Sequence, residues 1–106
     1  MNFQALEVSL ALIRSLRAPL ARLVTHDSDL ADQLRRAASS AALNLGEGRR
    51  RTGKDRAFHF RVAGGSASEV RVALQVAAAW GYVDEQALAE PLALVDRVLA
   101  MTWRLK

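Results

Sequence analysis

Apolar residues return at three- and four-residue steps along four stretches of this chain, and polar or glycine-bearing gaps divide them. Over residues 3–24, Leu6, Leu10, Ile13, Leu16 or Arg17, Leu20 and Leu23 mark one helical face. Pro19 falls inside that pattern, removing a backbone donor and predicting a kink, yet the periodicity continues in phase beyond it. The polar connection over residues 25–29 offers several N-caps. A second helix is expected over residues 29–47, with Leu30, Leu34, Ala37, Ala41 and Leu45 as its inner stripe. Ala38 and Ala42 lie alongside, and such small residues let a neighbouring backbone approach closely. Gly46, Glu47 and Gly48 are expected to end this helix, since glycine readily takes the left-handed conformation of a C-cap.

Residues 49–53 then form a basic elbow, and Thr52-Gly53-Lys54-Asp55 fits a Thr-x-x-acid capping pattern. A third helix is expected from there to about Trp80, with Gly81 as terminator. The fourth follows Asp84, a good N-cap, and carries Leu88, Leu92, Val95, Val98 or Leu99, and Thr102 to the C-terminus. Pro91, two turns in, predicts a bend near its start. No internal repeat, low-complexity segment or long linker interrupts the series. Four amphipathic helices on short connections predict an all-α, antiparallel up-down-up-down four-helix bundle, one domain over residues 1–106.

The third helix departs from the pattern of its neighbours. Projected at about 100° per residue, Ala57, Phe60, Ala63, Ala67, Val70, Leu74 and Ala77 fall on one side. Phe58, Val62, Gly65, Val72, Val76 and Trp80 fall nearly opposite, leaving only Arg61, Ser68, Arg71 and Gln75 as a polar strip. One apolar face is enough for a bundle, so the second predicts a cover, and another copy of the chain is the expected one. Gly64 and Gly65 cost about 1 kcal/mol each inside a helix, which close contact across a helix–helix interface would offset. Glu69 points towards this second face with Ser66 a turn before it, so it needs a partner if covered; Asn44, Arg35 and Arg36 are the candidates. Asn44, Gly64, Gly65, Ser66 and Glu69 are therefore read as structural or interface residues.

Composition adds to this picture. Hydrophobic residues make up 51% of the chain but only 6% are aromatic, and alanine and leucine dominate, which favours helices over a sheet. With no cysteine, disulfides and thiolate chemistry are excluded, as suits a reducing cytoplasm. The longest uncharged run, residues 72–83, is shorter than the roughly 20 residues of a membrane span, and no targeting segment opens the chain. A soluble, cytoplasmic protein without membrane association is expected. The net charge is +4, yet residues 35–71 hold nine bases against three acids, an excess of six, so the remainder is slightly acidic. A localised basic region points to a polyanionic partner.

The candidate chemistry is correspondingly narrow. His26 and His59 have no second histidine, cysteine or acid at metal-ligand spacing, and no nucleophile elbow, zincin or phosphate-loop pattern occurs. Neither a catalytic site, a metal nor a cofactor is expected. Arg49, Arg50, Arg51 and Lys54, with Arg56 and Arg61 beyond them, form the strongest chemical feature. Guanidinium groups grip phosphates, and the start of the third helix adds backbone donors and a positive dipole end. Contacts of this kind give affinity with little sequence choice, so nucleic acid, RNA in particular, is the expected partner. An oligomeric scaffold that organises another protein without touching nucleic acid is the alternative.

The middle of the chain resembles a bacterial four-helix-bundle family, the 23S ribosomal RNA intervening-sequence proteins. The resemblance is carried, in order and spacing, by Asp32-Gln33-Leu34-Arg35-Arg36-Ala37-Ala38, Asn44-Leu45-Gly46-Glu47-Gly48, Arg50-Arg51-Thr52, Gly65-Ser66, Glu69 and Gly81-Tyr82-Val83. It implies an antiparallel bundle and a ring-like homopentamer, in a family with no established enzymatic activity. It also implies kinship with accessory proteins of diversity-generating retroelements, basic bundles that work with a reverse transcriptase and nucleic acid. Here Arg56 stands where an apolar or aromatic residue is common in the family, and Gly64 where a longer one is usual.

Overall fold

The computed structural model describes residues 3–105; Met1, Asn2 and Lys106 lie outside the described residues, and with Lys106 the expected end of the fourth helix. Four α-helices and one short 3₁₀ turn account for the described chain: α1 (Gln4–Leu23), α2 (Ser28–Arg50), α3 (Gly53–Ala79), the 3₁₀ turn (Glu85–Leu88) and α4 (Ala89–Leu105). Several of these elements start or stop for a visible local reason. Asp27 caps α2, its Oδ1 accepting from the Leu30 N–H at 3.0 Å, which satisfies one otherwise orphaned donor. Asp84 does the same for the 3₁₀ turn through the Gln86 N–H at 3.3 Å. At the end of α3, Gly81 takes φ +78°, and the N–H groups of Gly81 and Tyr82 reach back to the carbonyls of Ala78 and Ala77. That pairing is a Schellman closure, which requires the left-handed residue that glycine supplies.

Two boundaries and one cap differ from expectation. Gly46 and Gly48 do not terminate α2, which continues to Arg50 before Arg51 turns extended. A glycine ends a helix only when nothing favours continuing, and here Gly48 is buried against the next helix. Thr52 precedes α3, yet its hydroxyl makes no capping bond; the turn is set instead by Gly53 at φ +58°. Pro91 is not two turns inside a helix, because the 3₁₀ turn comes first and α4 starts at Ala89. In the first turn of α4 the missing proline N–H has no helical acceptor to lose. By contrast, α1 runs continuously through Pro19, which is buried.

Packing follows the up-down-up-down order. α1 contacts α2 and α4, α3 contacts the same two helices, and α1 and α3 face each other across the diagonal. Leu12, Leu16, Leu34, Leu45, Phe60, Val70, Leu74, Val95 and Val98 form the fully buried centre. α2 packs most extensively on α3, and both helices bury alanines: Ala37, Ala38, Ala41 and Ala42 on α2, and Ala63, Ala67, Ala73 and Ala77 on α3. Buried Ser9 and Thr102 donate to the carbonyls of Leu6 and Leu99 at 2.7 and 3.0 Å, so neither hydroxyl is left unsatisfied. The molecule is a rod of 42 × 22 × 18 Å.

Candidate nucleic-acid interface

The antiparallel order brings the start of α1, the end of α2, the start of α3 and the end of α4 to one pole of the rod. Phe3 and Phe60 pack there with ring centroids 6.0 Å apart. The elbow residues crowd round these rings. The Arg49 guanidinium lies 5.5 Å from the Phe3 centroid, and that of Arg56 lies 5.2 Å from the Phe60 centroid. Both arginines therefore have one face against an aromatic ring, which limits their motion. Phe60 itself is fully buried, so the α2–α3 elbow is anchored to the core.

The six arginines and lysines predicted for phosphate contact divide by what they already touch. Arg51 is committed: its Nε donates to Glu47 at 2.9 Å and its Nη1 to Asp55 at 3.4 Å, bracing the end of α2 to the start of α3. That contact holds the Glu47 carboxyl below the usual carboxylate range and raises the Arg51 guanidinium above its own. Arg50, Lys54 and Arg61 are exposed and make no ion pair among the described residues. Arg104, in the last turn of α4, joins this pole, a place that the periodicity of its own helix does not reveal. Its signal was topological: in an up-down-up-down bundle the end of the fourth helix must return beside the elbow. The opposite pole carries Asp27, Asp29, Asp84 and Glu85 around stacked His26, Tyr82 and Trp80 rings. The rod is electrostatically polar.

The residues expected to fix helix register separate in space. Asn44 Nδ2 donates to the Ser40 carbonyl at 2.9 Å and lies 3.2 Å from its hydroxyl, so Asn44 Oδ1 is the acceptor facing His59 Nδ1 at 2.9 Å. The Ser66 hydroxyl donates to that of Ser40 at 2.8 Å. Asn44 and Ser66 thus belong to a polar ladder between α2 and α3, but their companions are Ser40 and His59, not Glu69. Glu69 is exposed and makes no ion pair among the described residues, while Arg35 pairs with Asp32 at 2.9 Å. A carboxylate left in water needs no partner, which is why the predicted one is absent from the ladder. Gly64 sits against α4, where an added methyl would stand 3.3 Å from Thr102 Oγ1, whereas one at Gly65 would meet nothing within 4 Å.

Among the described residues no group of three or more His, Asp or Glu side chains is placed to hold a metal ion, and no helix is long and apolar enough to cross a membrane. The second face of α3 is open: Phe58 and Val72 are 52% and 55% exposed, and Val76 and Trp80 continue the stripe. Leu43 of α2 adds a further exposed side chain.

No curated protein is similar enough to match the chain. The family model described as 23S rRNA-intervening sequence protein matches residues 4–104, nearly the whole of all four helices. The chain belongs to the family of 23S rRNA-intervening sequence proteins.

Proposed function

We propose that this protein is a non-enzymatic, homo-oligomeric bundle of the cytoplasm that binds RNA through its elbow pole. The observation that carries the reading is the gathering of Arg49, Arg50, Lys54 and Arg56 at one end of the rod, beside an Arg51 already tied to acids. Exposed cations on a rigid helical pole suit phosphate contact, where positive charge gives affinity without base choice. The family's description, which names an intervening sequence of 23S rRNA, makes structured RNA the polyanion to try first. The open stripe on α3 supports self-association, since an apolar row of that length on a small protein is better covered than wetted. A pentameric ring is the form the sequence resemblance implies, and it would multiply the cationic poles around one axis. A reverse transcriptase, or another protein, is a partner of the second kind, for which capture after nuclease treatment is the sign.

The test is binding to a structured ribosomal RNA fragment over a salt series, with Arg50 and Lys54 both replaced by alanine. For every phosphate that the variant no longer neutralises, the log–log salt slope should flatten by about 0.7 to 0.9. An unchanged slope assigns the binding to another surface. An absence of any salt-dependent binding ends the RNA reading and leaves the scaffold alternative.

A further inference from the structure

A groove of about 350 Å³ runs between α3 and α4, on the flank of α3 next to its open stripe. Arg61, Gly64, Gly65 and Ser68 line one wall, and Thr102 and Trp103 stand on the other. The spacing explains why it is there. Residues 61, 64, 65 and 68 share one side of α3, and the two glycines remove the side chains that would otherwise fill the gap to α4. The gap is closed at its floor, where Gly64 approaches Thr102, and open at Gly65. Trp103 is 71% exposed, an unusual position for so large an apolar ring.

The chemistry of the lining is one-sided. Arg61 supplies a cation with no ion pair among the described residues, and Ser68 supplies a hydroxyl. Among the described residues no carboxylate lines the groove. The groove lies over the middle of α3, its wall of residues 61–68 standing about two to four helical turns beyond Lys54. Its volume is at the small end of ligand sites, which run from about 300 to 1,000 Å³.

We infer that this groove receives one unpaired nucleotide of RNA, its base against the Trp103 indole and its phosphate on Arg61. The inference rests on the RNA-binding reading and refines it. The elbow grips backbone regardless of pairing, whereas a base must leave the helical stack before an indole can meet its face. The groove therefore makes the protein prefer RNA with loops, bulges or free ends over continuous duplex.

The chain has two tryptophans, so Trp80→Phe leaves Trp103 as the only indole. In that background an oligouridylate of about 12 nucleotides, within the usual range of single-strand site sizes, and a blunt RNA duplex of equal length are titrated at one salt concentration. The expected result is quenching of Trp103 emission by the single strand and not by the duplex. Trp103→Ala should weaken single-strand binding by about 5- to 100-fold, with duplex binding unchanged, and Trp103→Phe should retain most of the affinity. Equal losses on both RNAs, or none on either, overturn the groove while leaving the elbow reading intact. A change of particle mass with Trp103→Ala assigns the groove to contact between copies and overturns it too. If neither RNA binds the unmodified protein, the RNA reading falls and the groove falls with it.

Discussion

The ring of Phe60 lies directly against the bare Cα of Gly48: a methyl group added there would stand 2.7 Å from Cε1 and 2.8 Å from Cδ1. The aromatic ring that anchors α3 in the core is thus admitted by the one residue of α2 with no side chain at that level. Gly48→Ala gains about 1 kcal/mol in helix propensity but forces the ring or the helix aside, and overpacking costs about 1–3 kcal/mol. A net loss of stability is expected. Gly46, two residues earlier, has nothing within 4 Å of an added Cβ, so Gly46→Ala should raise stability by up to about 1 kcal/mol. Urea unfolding of the two variants should give shifts of opposite sign, and a shift of the same sign refutes the packing argument.

The brace at the elbow predicts a pH dependence. Hydrogen bonding and charge from Arg51 lower the Glu47 pKa in the folded state. Stability from this contact is therefore present above the unfolded carboxylate range and lost as pH falls from there through the depressed folded value. Glu47→Gln removes that part of the acid-side loss, and unfolding curves between neutral and acid pH will read the difference. The same substitution removes the closest partner of Arg51, so, on the RNA-binding proposal, affinity at neutral pH should rise and the salt slope steepen by up to about 0.9. A slope unaltered by Glu47→Gln removes Arg51 from the interface.

The proposed self-association through the open face of α3 has a direct test. Val72 sits at the middle of the stripe and is 55% exposed, so Val72→Asp leaves the protomer core untouched. Light scattering should show the assembly falling to monomers, while helicity stays as it was. Exposed substitutions of this kind usually change protomer stability by less than about 0.5 kcal/mol. An assembly of unchanged mass places the contact elsewhere.

Asn44 and His59 are joined at 2.9 Å across α2 and α3, in a half-buried setting. Asn44→Ala and His59→Ala should each cost about 0.5–1.5 kcal/mol, and together less than their sum. A double-mutant cycle on unfolding free energies measures the coupling directly. Strict additivity means that the bond contributes nothing.

Burial follows periodicity at Leu16, Leu23, Leu34, Leu45 and Phe60, which lie where their spacing put them, but the expected face of α1 is rotated: Leu10 is 41% exposed and Leu6, Ile13 and Leu20 are half-buried, while Ala5, Val8 and Leu12 fill the core. The two-sided character of α3 was legible from its spacing as well. What escaped was anything decided by contact between segments. Gly48 reads as a helix stop in one dimension and is a packing device in three. Likewise His59, which resembles a stray surface histidine, becomes a partner only once α3 is laid beside Asn44. Glu69 needs a partner only if its face is covered, which a single protomer does not do. Arg104 and Trp103 stand off the apolar stripe of the last helix, and their meaning depends on which pole that helix returns to.

Two of the helices run up the rod and two run down, so their macrodipoles oppose one another and largely cancel. The difference between the arginine-rich end and the aspartate-rich end is therefore written in exposed side chains alone, at positions the core does not consult. Such a scaffold separates architecture from valence: the charge on either tip can be inverted by substitution while the interior stays as it is. Selection, or a designer, could retune what this rod attracts without relearning how to fold it.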